Sequence, residues 1–286
     1  FAGGSASHTS VGATGIQGVN GAAISTMVSG IQDVNTGGKA SATTIASGGL
    51  QNVFSGGTVT GTIDQWSQEI LSGGTAVSTT VDNAFQDVNG VALSTTLLSG
   101  STQFVEAGGK ASNTIVDSGG WQFVLPGGTA SATTIDGGTL LLFDTGVFNG
   151  AITFGAPDGQ LMVRGTSLAN TISGFAPGDT VDLSLFGLTS GATALASGST
   201  VTVSASGGTT FALHFASALT GGTLHLKPDG NQDTATGAGG TVVTYVSGYH
   251  YSQRGAQCLQ YVGWRRAAPG RLFGRHGDQR RRQRRR

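Results

Sequence analysis

Three carboxylates share one position in a recurring triplet: Gln32-Asp33-Val34, Gln68-Glu69-Ile70 and Gln86-Asp87-Val88. Paired carboxylates cleave glycosidic bonds when one protonates the leaving oxygen and the other attacks or activates water. Such chemistry needs the acids gathered about one bond. Here Asn52 holds the same position between Asp33 and Glu69, and Phe104 and Phe123 end the series. Asp64, Glu106 and Asp117 stand singly. The series reads as a solvated acidic face. His214 in FALHF and His225 in TLHLK are metal-ligating types, but no third ligand accompanies them. Asp229, Asn231 and Asp233 alternate as in calcium loops, without the Gly at position six or the acid at position twelve. Pro228-Asp229-Gly230 reads as a turn. No phosphate loop, nucleophile elbow or zinc spacing occurs. The expectation is a chain with no catalytic residue, cofactor or metal.

The triplets belong to a repeat. Units begin at Ser5, Ala22, Lys39, Thr58, Thr75, Val91, Lys110 and Thr129. One column reads Thr9, Thr26, Thr43, Thr62, Thr79, Thr95, Thr114 and Thr133, and an aliphatic follows two residues later. The fourth unit reads as one residue short, with Ile63 directly after Thr62. A second column holds Gln17, Gln32, Gln51, Gln68, Gln86, Gln103 and Gln122, each two residues before Val or Ile. Each unit therefore reads as a strand, a Gly/Ser turn, a Gln-x-Val strand and a Gly-rich turn.

Fifty glycines, abundant Thr, Ser and Val, and few helix formers make this all-β composition. Two strands per period predict a parallel β-solenoid of about eight short coils. Stacked about 4.8 Å apart, they form a rod of roughly 40 Å. Period-2 spacing puts Thr with its aliphatic, and Gln with Val, on one inward face. Stacked Gln can pass amide hydrogen bonds along the axis, and stacked Thr can do so with hydroxyls. Regular antiparallel hairpins are the competing arrangement. Identity within columns favours stacking like on like.

Residues 1–138 hold these repeats. Residues 139–250 read as a β-rich continuation that caps the open sheet edge. Val201-Val203 and Phe211-Leu213-Phe215 look like apolar faces of paired strands there. Residues 251–286 form an Arg-rich tail with eleven of the chain's fifteen Lys and Arg, leaving 4 bases against 14 acids before it. That tail reads as disordered or as a frameshifted reading of GC-rich DNA. A polyanion-binding end is the alternative, and a nucleic-acid partner is not expected. One cysteine, Cys258, rules out an intrachain disulfide. No run of about 18 apolar residues marks a membrane helix. The chain starts at Phe1 without Met or a signal-like segment, and reads as an internal fragment or processed form.

The pattern A-x-x-T-x-[VI]-x-x-G-G-x-Q-x-V-x-x-G-G, best seen in KASNTIVDSGGWQFVLPGG at 110–128, resembles the AIDA-type repeat of bacterial autotransporter passengers. The resemblance spans residues 5–138. It implies a secreted or surface-displayed Gram-negative protein with a parallel β-helical passenger, often adhesive. It also implies sugar on loop hydroxyls, placed by a glycosyltransferase. Matching Ser-Gly loops hold Ser29, Ser47, Ser55, Ser72, Ser99 and Ser118. Unlike the family, the sequence ends without an outer-membrane barrel, so membrane association is expected only through a missing region. NTISGFAPGDTVDLSLF at 170–186 is similar to a segment near the end of repetitive secreted alphaproteobacterial proteins. Some of those continue into an autoprocessing domain, whose opening Cys pattern Cys258 lacks. The expected function is non-enzymatic adhesion or aggregation at a host or neighbouring-cell surface, carbohydrate included. Trp66, Phe85, Phe104, Trp121 and Phe123 are the candidate partner-facing stripe. The alternatives are a polysaccharide-active β-helix enzyme and a passive stalk for a missing domain.

Overall fold

The computed structural model describes residues 3–229 and 240–247. Its regular structure is all β, and the coils are parallel. Each full coil carries three strands, not the expected two. In the third coil these are Lys39–Ser41, Thr44–Ile45 and Leu50–Val53. A single left-handed residue, Ala42 at φ 51°, splits what the sequence reads as one strand. Ser25, Ser78, Ser94, Asn113 and Ala132 adopt the same conformation in their coils. A left-handed non-Gly residue costs about 1–3 kcal/mol. What holds it is a tertiary bond: the Ala42 N–H donates to Thr60 O at 2.9 Å, and Ser78 N–H to Leu93 O at 2.8 Å.

Equivalent strands stack in register, with one shift between Ile135 and Asp136, into three sheets of nine, thirteen and twelve strands. Gln51 pairs with Gln32 and Gln68, and Ala40 with Ala23 and Val59. About ten coils form rather than eight. Ten parallel strands of the Gln sheet run from Ile16–Val19 to Thr180–Leu183. Repeat matching stops at Asp136, but Leu140, Leu161 and Val181 continue the Gln column with aliphatics.

The Gly-Gly corners use their two glycines differently. Gly48 takes φ 82°, which favours glycine. Gly49 lies so close to the preceding coil that a Cβ there would stand 2.1 Å from the Val28 carbonyl oxygen.

The core is amphiphilic. On one side Val34, Val53, Ile70 and Val88 stack with Ala40, Val59 and Ala76, all buried. On the other runs a fully buried amide ladder. Gln51 Nε2 donates to Gln32 Oε1 at 2.6 Å, Gln68 to Gln51 at 2.7 Å and Gln86 to Gln68 at 2.6 Å. The threonine hydroxyls do not form the expected chain of their own. Thr9 and Thr26 meet at 3.0 Å, but Thr43, Thr62, Thr79, Thr95, Thr114 and Thr133 each donate to the Gln of the preceding coil. Each Oε1 from Gln32 to Gln103 thus takes two donors.

After Leu183 the chain reverses. Thr193–Ser197, Thr200–Ser204 and Thr210–Phe215 form an antiparallel meander, with Val201 opposite Leu213 and Val203 opposite Phe211. Gly222–Pro228 and Thr241–Ser247 pair antiparallel, and the latter lies against Thr180–Leu183. These hairpins cover the edge that the last parallel strand would leave open.

Replacing Gln86 by Leu keeps the volume but leaves Gln103 Nε2 and Thr95 Oγ1 without their acceptor. We expect a loss of about 2–4 kcal/mol, read as a lower denaturant midpoint. A Gln86→Leu chain as stable as the parent would show that the ladder contributes no stability.

Candidate functional site

Inward residues of the Gln sheet are committed to the core, so its odd positions face outward. Two outward columns result. One reads Leu50, Ser67, Phe85, Thr102, Trp121; the other reads Asn52, Glu69, Asp87, Phe104, Phe123. Phe104 and Phe123 stack at 5.1 Å between centroids, and Trp121 stacks on Phe123 at 5.7 Å. Phe85 and Trp121 are exposed, and Phe104 and Phe123 are half-buried beside them. Trp66 is exposed at the adjoining corner. The structure therefore brings four of the five expected aromatics onto one face and leaves Trp66 at its border.

The carboxylates share that face. Asn52 donates Nδ2 to Asp33 Oδ1 at 2.8 Å, and Glu69 pairs in register with Asp87. Partial burial, then the charges of Glu69 and Glu106, push the Asp87 carboxyl above its usual range. Glu69 and Asp87 stand side by side on a sheet surface, whereas hydrolytic carboxylates flank a bond from two sides. His214 and His225 sit in different sheets and are exposed. Among the described residues no three His, Cys, Asp or Glu side chains group as a metal site. Asn231, Asp233, Cys258 and the Arg-rich tail lie outside the described residues.

The serines fall on two different corners. Ser29, Ser47, Ser99 and Ser118 precede the Gln strands, whereas Ser55 and Ser72 follow them. Ser29 is half-buried beside a shortened turn, and the other five are exposed. Thr36 heads the second corner, one coil above Ser55, and donates to Ser55 O at 2.8 Å. It carries no Ser-Gly signal and was not legible as a corner hydroxyl.

Asp64 takes the inward place expected for Ile63. Ile63 does not join the aliphatic column; it is exposed, and Asp64 pairs with Ile45 and Val81 inside the core. The fourth unit is shortened after Asp64, in the turn, and not before it: it lacks two residues there relative to the third unit. Asp64 is fully buried. Its Oδ1 accepts the Trp66 N–H at 3.0 Å, while Oδ2 is buried without a partner. Burial is the main cause that lifts its pKa to about 7.

A family model described as "Adhesin of bacterial autotransporter system, probable stalk" matches residues 84–139. The crystal structure of a hyper-glycosylated TibA fragment, its glycosylation catalysed by TibC, superposes with a TM-score of 0.53 at 31% identity. The match covers 61% of this chain and 73% of that one. The chain belongs to the AIDA family of autotransporter adhesins. No curated protein sequence matches it. The matched 84–139 segment of this AIDA-type passenger includes Phe104, Trp121 and Phe123 as well as Ser99 and Ser118.

Asp64 makes the rod's stability depend on pH. Its folded pKa is raised, so the folded state binds this proton more tightly than the unfolded chain. The contribution is complete below about pH 4 and is lost as pH rises through about 7. A shift of that size is worth on the order of 4 kcal/mol. Asp182, raised to about 6 chiefly by burial, acts in the same direction. Denaturant midpoints should fall between pH 4 and pH 8, and Asp64→Val should stabilise the rod most at pH 8. A variant less stable than the parent at pH 8 would contradict this.

Proposed function

We propose that this passenger is displayed on a Gram-negative cell and acts without catalysis, in adhesion or aggregation between cells. The observation that carries the reading is the shared repeat: an in-register parallel rod at 31% identity to TibA, a glycosylated protein of the same architecture. A stiff rod presents equivalent outward columns at a fixed pitch of about 4.8 Å. Many weak contacts then add through effective concentration. Glu69 and Asp87 lie on an open face, which supports binding over hydrolysis.

We further propose that a glycosyltransferase modifies the exposed corner serines, as TibC does TibA. Ser47, Ser55, Ser72, Ser99 and Ser118 project from turns fixed by left-handed glycines. An added sugar there displaces no core side chain.

Displaying residues 1–250 on otherwise dispersed bacteria should make them settle together or attach to a surface. Cells that stay dispersed and unattached would overturn the adhesive reading, and sugar release from polysaccharide would favour an enzyme. Protein from its native host should be heavier than its sequence mass by whole sugar units, less so when Ser55 and Ser72 become Ala. An unmodified intact mass would refute the glycosylation.

A further inference from the structure

The repeats distribute their side chains unevenly. Between residues 3 and 138 every aromatic lies on the Gln sheet or its corners. Asp33, Glu69, Asp87 and Glu106 are on the same side. The two bases of this region, Lys39 and Lys110, stand in one column of a different sheet. One face of the rod therefore combines stacked rings with uncompensated carboxylates.

The contact is closest in the fifth to seventh coils. Asp87 pairs in register with Phe104, which pairs with Phe123. Glu106 follows Phe104 by two residues and so leaves the strand on the same side. An ammonium or guanidinium group is drawn both to the ring faces and to the carboxylates. We propose that this face binds a Lys- or Arg-bearing segment of a partner protein, seated on Phe104, Trp121 and Phe123 and neutralised by Glu69, Asp87 and Glu106.

Charge selects this occupant over its rivals. A second copy docked symmetrically would set the same carboxylates against one another. A neutral sugar would leave their mutual repulsion in place. A cation relieves it at Asp87, whose carboxyl is raised first by burial and then by the charges of Glu69 and Glu106. The inference adds a partner chemistry to the adhesive reading and can fail without it.

The test uses the full chain and a dye-labelled (Lys-Gly)6 peptide, with (Gln-Gly)6 as the neutral probe. The basic peptide should bind saturably at low salt and weaken steeply by 0.3 M NaCl. The neutral probe should not bind. Glu69→Gln with Asp87→Asn and Glu106→Gln conserves size, and should weaken binding at least tenfold. Trp121→Leu with Phe123→Leu should weaken it severalfold. Asp117→Asn with Asp136→Asn, acids paired in register on another sheet, should leave it unchanged. Three results would overturn the proposal: the amide triple variant binding like the parent, the Asp117/Asp136 variant losing as much as the triple, or chitohexaose binding the face equally well with and without its carboxylates. Displayed cells that aggregate while no peptide binds would sink this inference and leave the adhesive reading standing.

Discussion

Everything in this rod depends on hydrogen bonds that cross from one coil to the next. Beyond the first coil, where Gln17 donates to Thr9, no coil contains a partner for its own glutamine. Gln51 Nε2 finds its acceptor in Gln32, and Gln51 Oε1 finds its donors in Gln68 and Thr62. In a dry interior an unpaired amide is costly, and a paired one is held firmly. The ladder therefore fixes the register. A slip of one residue would turn every Gln outward and every outward carboxylate inward. That constraint accounts for a sequence of weak units. A coil with so small an apolar core has no stability alone, and it gains stability from neighbours that repeat its side chains.

The same dependence decides what could be read from the sequence. Thr and Gln columns are legible because they are identities at fixed spacing. The third strand is not, because its boundary is a backbone conformation that Ala42, Ser78 and Asn113 share without sharing a residue type. Those left-handed positions are held by N–H donors to the next coil, an interaction that exists only after stacking. Coils beyond Asp136 were hidden for another reason. Leu140, Leu161 and Val181 occupy the Gln column without resembling it. Once Gln122 Oε1 takes the hydroxyl of Thr133 at 2.8 Å, the ladder can end and an aliphatic core can follow. Asp64 was legible in principle. Strict alternation from an inward Thr62 turns Ile63 outward and Asp64 inward, although Ile63 is the residue that matches the aliphatic column by type.

Outward positions obey no such rule, which is why the site was only partly readable. Their identity varies from coil to coil while the inward columns stay fixed. The sequence marks which residues point out, since each is adjacent to a Gln or Val that recurs from unit to unit. It does not say which outward residues meet. Phe104, Phe123 and Trp121 become one surface because register places them a strand apart. Ser55 and Ser118, alike in sequence, separate onto two corners because the Gln strand lies between them.

Corners and faces can consequently serve different chemistry without conflict. A corner is shaped by glycine: Gly48 needs its left-handed φ, and Gly49 needs the absence of a side chain against Val28. A hydroxyl next to them projects outward and is structurally dispensable, so a sugar on it strains nothing beneath. A face is shaped by register, and its ring stack and carboxylates keep a fixed pitch whatever the corners carry. Sugars added along the corners would border the Gln sheet without covering its centre. The rod could then be coated and still present an acidic, aromatic strip, with its contacts repeated at the spacing that the amide ladder sets.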